Sequence, residues 1–436
     1  MWLQRLVVPF ARSAIRTFYR FSVSGETIPA TGPLLLVANH PNMAADGGAV
    51  VVASGRPVRF LAKAPLFANP ISSAVLRGVG AIPVHRRKDG LSAVDRNEQS
   101  FGEAGAALER GDAIAIFPEG ISHSEPSLAP LRTGAARIAL ATARRLGAAF
   151  PIVAVGLTYR DKTRFRSRAL VAARPPLGWD DLAGRGEDDP EAVRELTSRI
   201  DRALRSVTPN LERWEDAPTI EAAEAIWAAE KRLPRDADSR TARHRDIAKI
   251  LGRLRAGGSE ELPELERAVL GFDSFLRELG LSPAALEVTT RGSVALRWIA
   301  GRLLPFLVIA PLLLAGAVVF LVPAAATEWL SRRARGPEVE ATLKILGGAA
   351  IHLLWIVLIA LFAGLHAGPA AAAAALLVLP LLGIATLAGA QWWDRTWREA
   401  RSFLRLRSRE TLRHGLLRRR GELADRLERL RDGANA

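Results

Sequence analysis

The chain has 436 residues, enough for two or three domains, and its composition changes sharply along its length. It contains no cysteine, which excludes disulfides, a thiolate nucleophile and cysteine metal sites. Its net charge of +15 fits three partners: nucleic acid, an anionic membrane surface or a phosphorylated substrate. No nucleic-acid motif occurs and the basic residues concentrate beside apolar segments, so we expect membrane lipids and no nucleic acid as partners.

Residues 1–22 mix arginines with large apolar residues. The arginines interrupt every apolar run and leave no hydrophobic core for a secretory signal: Arg5, Arg12, Arg16 and Arg20. The pattern predicts an amphipathic helix. Two roles remain open for it, because it could lie on a membrane surface or pack against the following domain.

Residues 23–210 alternate short apolar runs with helical patterns. The runs are bounded by Gly and Pro and occupy 34–38, 58–61, 81–84, 113–117, 151–158 and 168–173. Helical periodicity lies at 93–109 and 132–145, and a closing helix is expected over 193–207. This alternation predicts an α/β domain with helices on the faces of a sheet.

The first run ends in VANHPNMAAD, residues 37–46. Asp46 is the only carboxylate between Glu26 and Asp89, and a carboxylate beside an imidazole supports a general base. On one continuous helix, positions 40 and 46 would point about 240° apart and could not touch. Pro41 favours an extended His40, and Asn42 could cap a helix that brings Asp46 back towards it. A strand-to-helix turn is therefore predicted.

Four blocks then follow a known order: NHPNMAAD at 39–46, GAIPVHR at 80–86, FPEG at 117–120 and PIVAV at 151–155. Together with AKAPLF at 62–67 and LRTGAARIAL at 131–140, they resemble the glycerolipid acyltransferase family over about residues 20–210. The spacing of His40 and Asp46 resembles the glycerol-3-phosphate/dihydroxyacetone-phosphate acyltransferase subgroup. The resemblance implies an α/β acyltransferase domain with a mixed sheet.

The resemblance also implies roles for single residues. His40 would deprotonate a glycerol hydroxyl, Asp46 would orient and charge its imidazole, and the alkoxide would attack the thioester of acyl-CoA or acyl-carrier protein directly. Arg86 would hold the substrate phosphate, and Glu119 and Gly120 would belong to the acceptor site. The chain has no G-x-S-x-G elbow, so a covalent acyl-enzyme lacks a candidate nucleophile. No metal or other cofactor is expected.

Two features depart from the family pattern. Five residues separate His40 from Asp46, where four are usual, and Ser122 replaces an arginine after the FPEG block. The second departure puts phosphate binding at that position in doubt. Arg132 is the first candidate to compensate, and Lys63, Arg87 and His123 are others, because cationic side chains suit phosphate.

The charged sequence of residues 211–290 predicts a helical connector that has no role in the catalytic chemistry. Six apolar residues follow a helical spacing that ends at Gly280: Leu262, Leu265, Val269, Phe272, Leu276 and Leu279. The tail, 396–436, predicts a basic helix. Either the membrane or the connector could be its partner.

Residues 291–395 form the predicted membrane region. Neither 303–327 nor 345–393 contains a charged residue, and a span needs about 20 residues. The second stretch predicts a hairpin of two spans, 345–366 and 369–393, followed by a belt of Trp392, Trp393 and Trp397. Arginines flank 303–327 on both sides, so we expect it to be re-entrant or interfacial; a single ordinary span is the alternative.

These observations predict a membrane-bound O-acyltransferase of the cytoplasmic membrane with its catalytic domain on the cytosolic face. Its acceptor would be glycerol-3-phosphate or dihydroxyacetone phosphate, in phosphatidic acid synthesis. One alternative is acylation of 1-acylglycerol-3-phosphate or another lysophospholipid. The other is an inactive lipid-binding or scaffold protein that keeps the fold. The residues do not specify protein partners.

Overall fold

The computed structural model describes residues 4–85, 93–234, 236–287, 292–406 and 410–433. The chain forms two compact units. The first contains Met1–Asn210 and Ser331–Leu346, and the second contains Leu211–Leu330 and Gly347–Ala436. Each is described by itself below.

Seven strands among the described residues form one sheet in the first unit. The central strands β2 and β5 are buried along their whole length, as expected when helices cover both faces of a sheet. The sequence RFSVSG of β1 contains no apolar run, so this strand was not predicted. The strands are β1 (Arg20–Gly25), β2 (Leu34–Ala38), β3 (Val58–Lys63), β4 (Ile82–Val84), β5 (Ala113–Ile116), β6 (Ile152–Tyr159) and β7 (Arg168–Ala173).

The strand order is β1-β7-β6-β2-β5-β3-β4. Neighbouring strands are parallel except β6 and β7, which are antiparallel, so the predicted mixed α/β sheet is confirmed. The carboxyl ends of β2 to β6 meet at one edge. In open α/β sheets this is the edge at which ligands bind.

Helices pack on both faces of the sheet. On one face, α4, α5 and α6 bury Leu108, Ile138 and Leu196 completely. The first-unit helices up to this point are α1 (Gln4–Phe18), α2 (Ala44–Ser54), α3 (Pro70–Gly78), α4 (Ala93–Glu109), α5 (Gly134–Leu146) and α6 (Pro190–Arg205).

Helix α1 packs against α2 in the first unit. Ile15 lies over Gly48, where an added Cβ would come within 2.1 Å of its side chain. Arg12 donates to the Val51 carbonyl at 3.1 Å, and Phe18 is buried. Of the two roles that the sequence left open for this helix, the described side chains therefore show packing against the domain.

The connector and the tail form the polar part of the second unit. Helices α7 (Asp216–Glu230), α8 (Ala237–Ala256) and α9 (Glu261–Glu278) share one apolar core with the tail helix, defined below. Val269, Leu276 and Ile226 are almost fully buried in that core.

The first apolar stretch forms α10 (Gly292–Val319) and α11 (Leu321–Ser331), which meet at an angle of 48°. Pro323 explains the bend, because it has no N–H for the Val319 carbonyl and its ring clashes with that carbonyl. The indole of Trp355 donates to the Val319 carbonyl at 2.9 Å instead. Of the prolines in this stretch, Pro323 is thus the one that bends the helix pair.

The next segment, Ser331–Leu346, belongs to the first unit and contains α12 (Pro337–Thr342). A π-helical turn, Leu343–Gly347, leads to α13 (Gly348–Ala367), α14 (Pro369–Leu406) and the tail helix α15 (Glu410–Gly433). Within the part of the chain that the structure describes, two helices are long and apolar enough to cross a membrane, Pro337–Ala367 and Pro369–Asp394, or up to three spans if the bent pair is one. Leu416, Leu423 and Leu427 of α15 pack into the connector core.

Candidate active site

The turn at residues 39–43 joins β2 to α2 and carries the histidine. Asn39 anchors its start, because its amide donates to the Leu157 carbonyl at 3.0 Å and accepts the Leu157 N–H at 2.7 Å. Met43 ends the turn at a φ of 46°, a left-handed conformation that is costly for any residue but glycine. The Met43 N–H donates to Ser122 Oγ at 3.1 Å. Contacts from distant parts of the domain therefore hold this strained turn.

His40 and Asp46 are in direct contact. Nδ1 of His40 lies 2.9 Å from Oδ2 of Asp46, whose side chain is fully buried, while 15% of the His40 side chain stays exposed. An ionised carboxylate only accepts hydrogen bonds, which assigns the proton to Nδ1 and leaves a lone pair on Nε2. The arrangement can take a proton from a bound hydroxyl.

Asn42 does not cap α2 as predicted. The N-cap is Met43, which makes no side-chain cap bond. The prediction was wrong because backbone carbonyls, not the Asn42 side chain, accept the first helical N–H groups: Ala45 donates to the Asn42 carbonyl at 3.1 Å and Asp46 to the Met43 carbonyl at 3.2 Å. The Asn42 N–H itself donates to Oδ2 of Asp46 at 2.6 Å. The amide of Asn42 instead donates to the Tyr19 hydroxyl at 2.8 Å.

Burial raises the pKa of Asp46, since a charged carboxylate loses its hydration in the protein interior. His40, the Asn42 N–H and Tyr159 act in the opposite direction and favour the ionised form. The Tyr159 hydroxyl does this without ordinary hydrogen-bond geometry. Within the described part of the chain, neither it nor Oδ1 of Asp46 has a standard hydrogen-bond partner. The carboxylate is thus incompletely stabilised, and a proton arriving on His40 would supply the missing charge.

The chain has only two tyrosines, and both lie behind Asp46. Tyr19 is fully buried, donates to the Lys162 carbonyl at 2.5 Å and packs on Tyr159 with ring centroids 5.1 Å apart. Burial raises the pKa of both hydroxyls, so both stay protonated. Sequence reasoning missed them; their rarity in the chain was the available signal.

Glu119 supports the histidine from the end of β5. One of its oxygens accepts the His40 N–H at 2.9 Å; the other accepts the Ala129 N–H at 2.9 Å and contacts Nε2 of His123. Its side chain is buried, and the His40 ring stacks on Phe117 at 4.1 Å between centroids. Glu119, predicted to bind the acceptor, therefore points inward to the backbone of His40.

Two of the predicted cations, Lys63 and Arg132, lie at the same edge of the sheet. Lys63 ends β3 and is half-buried. Arg132 is exposed, and its side chain runs along Gly120, whose φ of 69° suits glycine. Its N–H donates to the Pro118 carbonyl at 2.7 Å, which fixes it beside the FPEG turn. Arg86 and Arg87 lie outside the described residues.

Residues 20–158 match the family model described as Acyltransferase. The chain carries an acyltransferase domain. This confirms the resemblance drawn from the four sequence blocks and their order.

The chain is also similar to two relatives of known name. The chain is 32% identical over 237 residues to glycerol-3-phosphate O-acyltransferase 2 of Saccharomyces cerevisiae, covering 51% of this chain and 31% of the yeast protein. It is 26% identical over 135 residues to the chloroplastic 1-acyl-sn-glycerol-3-phosphate acyltransferase of Arabidopsis thaliana, covering 30% and 36% of the two chains. The chain thus spans about a third of the length of these relatives.

One solved structure is also similar to the chain, the 1-acyl-sn-glycerophosphate acyltransferase of Thermotoga maritima. It aligns with a TM-score of 0.36 and 19% identity, covering 47% of this chain and 78% of that one.

Proposed function

We propose that the protein transfers a fatty acyl group from a thioester donor to a hydroxyl of glycerol-3-phosphate or dihydroxyacetone phosphate. The observation that carries the proposal is the contact between His40 and the buried Asp46 at the ligand-binding edge of the acyltransferase domain. The similarity to a yeast glycerol-3-phosphate O-acyltransferase supports the choice of acceptor.

The chemistry needs one base and no covalent intermediate. Nε2 of His40 takes the proton of the acceptor hydroxyl, and the oxygen forms a bond to the thioester carbonyl carbon. The carbon–sulfur bond then breaks, and the thiolate of coenzyme A or carrier protein leaves with the proton from His40. Asp46 stabilises the imidazolium between these two transfers.

Glu119 acts in this scheme as a positioning residue. Because it binds the backbone N–H of His40 and the 123–129 loop at once, it fixes the imidazole relative to the acceptor edge. Lys63, Arg86 and Arg132 remain candidates for the acceptor phosphate, and Gly120 lets Arg132 approach the FPEG turn.

Profiling of acceptors with purified protein tests the proposal. The detergent-solubilised enzyme is given a long-chain acyl-CoA or acyl-carrier protein together with glycerol-3-phosphate, dihydroxyacetone phosphate or lysophosphatidate. We expect kcat/KM to be highest with one of the first two acceptors. Higher turnover of lysophosphatidate would favour the second candidate, which the similarity to the Arabidopsis enzyme supports. Lack of turnover with every acceptor would favour an inactive lipid-binding protein.

We further propose that the protein is integral to the cytoplasmic membrane and that the bent pair α10–α11 is re-entrant. Along α10, Phe306 stacks on Trp393, Leu313 packs on Gly389, and Phe320 packs on Gly383. Helix α10 therefore runs antiparallel to α14, from the level of the tryptophan belt towards mid-membrane.

Helix α11 then returns along α13. Val319 lies beside Trp355, Thr327 beside Gly348, and Leu330 beside Gly347. Residues 319 and 327 of the bent pair thus lie level with residues 355 and 348 of α13. The seven helical residues between 348 and 355 rise about 10 Å along the helix axis. The bend reaches roughly a third to a half of a hydrocarbon core of about 30 Å before the chain turns back.

The polar segments agree with this path. Residues 331–346 share a compact unit with the acyltransferase domain, and α15 shares a core with the connector that directly follows that domain. All polar segments then lie on one side, and the positive-inside rule makes that side the cytosol.

The absence of cysteine allows a direct test of this arrangement. Single cysteines are introduced at the exposed positions Arg335, Ala367 and Arg429. In intact cells, a membrane-impermeant maleimide should label only the cysteine at 367, at the hairpin turn. Labelling of positions 335 and 429 together with protection of position 367 would show that the bent pair spans the membrane once, because the two spans of the hairpin keep 335 and 429 on the same side in either arrangement.

A further inference from the structure

The segment Ser331–Leu346 joins two apolar stretches yet belongs to the same compact unit as the active site. Ala341 is fully buried, and Ile345 is 3% exposed in a cluster with Phe18, Tyr19 and Ala45. These contacts fix α12 at the edge of the sheet that carries His40. They place one acidic residue, Glu338, beside the catalytic turn.

Glu338 meets a serine and a lysine there. Its Oε1 accepts a hydrogen bond from Ser124 Oγ, and Nζ of Lys162 donates to the same Ser124 oxygen at 2.8 Å. Lys162 Nζ lies 3.9 Å from Glu338 Oε1, and the two side chains are only 15% and 18% exposed. We call these three residues the Lys162 cluster.

The Lys162 cluster borders the catalytic turn on the side of β6. Ser124 follows His123, whose N–H donates to the His40 carbonyl at 3.2 Å. The Lys162 carbonyl accepts the hydroxyl of Tyr19, which binds Asn42 of the turn. Lys63, the last residue of β3, and Arg132, which follows β5, come from the opposite side of β2. Cationic groups therefore flank His40 on both sides.

The charge of Lys162 is incompletely balanced. An ammonium has three N–H donors, and among the described residues only Ser124 accepts one at hydrogen-bond distance; the Glu338 oxygen at 3.9 Å is too far. Burial lowers the pKa of Lys162 although Glu338 and Asp46 act to raise it. A phosphate group would bring both the missing charge and the missing acceptors.

The neighbouring sequence supports a cation at this place. Ser122 stands where the family pattern has an arginine, and its hydroxyl is engaged by the Met43 N–H. The position after the FPEG block therefore supplies no positive charge of its own. Lys162, in the loop after β6, supplies one instead, because its ammonium bonds to Ser124, two residues after Ser122.

We propose that Lys162 binds the phosphate of the acceptor and that Glu338 is its counter-ion only while the acceptor is absent. The inference rests on the proposed acyl transfer to a phosphorylated acceptor. Binding of the phosphate draws the ammonium away from Glu338, so the segment between the membrane helices takes part in acceptor binding. The residue that competes with the phosphate is thus Glu338.

Steady-state kinetics with glycerol-3-phosphate test the proposal on the full-length, detergent-solubilised protein. We expect Lys162→Met to raise the KM for glycerol-3-phosphate about tenfold or more, with kcat within about threefold of the unaltered enzyme. Lys162→Arg should restore part of the loss. Glu338→Gln should lower that KM about two- to fivefold, because it removes the competing charge. The KM for the acyl donor should not change.

Arg164→Met is the matched control, because Arg164 is an exposed cation in the same loop. It should leave every kinetic constant unchanged. An unchanged acceptor KM in Lys162→Met, or a raised one in Glu338→Gln, would overturn the proposal.

A binding measurement separates this inference from misfolding and from failure of the proposed function. Glycerol-3-phosphate alone should raise the thermal unfolding midpoint of the unaltered protein, and this shift should shrink in Lys162→Met but not in Arg164→Met. If the unaltered protein acylates no phosphorylated acceptor, the proposed function fails. If it does so and Lys162→Met shows the same KM and the same thermal shift, only the role of Lys162 fails.

Discussion

Two buried charges, Asp46 in the first unit and Arg420 in the second, are treated differently by their surroundings. Arg420 is 4% exposed, and each of its three side-chain nitrogens donates a hydrogen bond: to Glu230 at 2.7 Å, to Glu287 at 3.0 Å and to the Pro283 carbonyl at 2.8 Å. Asp46 is equally inaccessible, but only its Oδ2 has standard hydrogen-bond partners among the described residues.

The difference separates structural from chemical use of a buried charge. Removing a charge from water costs several kcal/mol, and complete pairing offsets most of that cost. Arg420 meets this condition, so its network joins the tail helix to the connector. Asp46 keeps an unsatisfied oxygen, which a transient positive charge on His40 can stabilise further. The predictions below test that contrast.

The largest effect is expected from His40→Ala. Loss of the base should lower kcat about 10³- to 10⁴-fold, while the thermal unfolding midpoint stays near that of the unaltered protein. Acyl-transfer assays and thermal unfolding measure the two quantities. Retention of more than a tenth of the activity would remove His40 from its assigned role.

Next in size is Arg420→Met, which removes a buried guanidinium from two partly exposed carboxylates, Glu230 and Glu287, and from the Pro283 carbonyl. We expect the free energy of unfolding to fall by about 1–3 kcal/mol, because the hydrogen bonds to the charged group are lost while water can still reach the carboxylates. The kcat of the folded fraction should be unchanged. Arg418→Met, at a position 81% exposed, is the control and should change stability by less than about 0.5 kcal/mol. Equal effects of the two substitutions would contradict a structural role for the buried network.

Asp46→Asn should act in opposite directions on activity and stability. We expect kcat to fall about 10²- to 10³-fold, because the imidazolium loses its counter-charge. Burial raises the pKa of Asp46, so the folded state binds this proton more tightly than the unfolded chain does. The free energy of unfolding therefore falls as pH rises from about 4 through the raised pKa.

The side chain of asparagine does not ionise, so the variant lacks this dependence of stability on pH. The variant should consequently be more stable than the unaltered protein at pH 7–8, by a margin that shrinks towards pH 4. Thermal unfolding across this pH range measures the margin. A variant less stable at pH 8 than the unaltered protein would show that the surroundings stabilise the ionised Asp46 carboxylate as well as they stabilise the Arg420 guanidinium.

The smallest effect is expected from Tyr159→Phe. Its hydroxyl lowers the pKa of Asp46, so its loss should raise that pKa further. The acidic limb of kcat/KM should move to higher pH, with only a few-fold change at pH 8. An unchanged pH profile would show that the hydroxyl does not act on the carboxylate.

The sequence was sufficient for most of the sheet and for the central contact. Apolar runs marked six of the strands, whereas β1 was missed because alternating polar residues hide it and its pairing partner, β7, lies far away in the chain. Pro41 allowed the contact of His40 with Asp46 to be predicted, because its steric effect on the preceding residue is local.

The residues that border the catalytic turn but come from distant parts of the chain could not be predicted in this way. Counted from Met43 at the end of the turn, Tyr19 lies 24 positions earlier in the sequence, and Lys162 and Glu338 lie 119 and 295 positions later. No local pattern encodes such contacts, since they depend on how α1, the loop after β6 and α12 pack in three dimensions. The inward orientation of Glu119 also became evident only from its hydrogen bonds.

The position of residues 331–346 has a practical consequence for anyone who wishes to isolate the catalytic part. A polypeptide truncated at residue 210 would contain all seven described strands and His40, but it would lack Ile345, which packs against Ile15, Phe18 and Ala45. We expect such a fragment to aggregate and to be poorly soluble, because these apolar side chains would be exposed. In this protein the module defined by sequence matching is smaller than the compact unit, because the missing piece is encoded beyond the connector and the bent pair α10–α11.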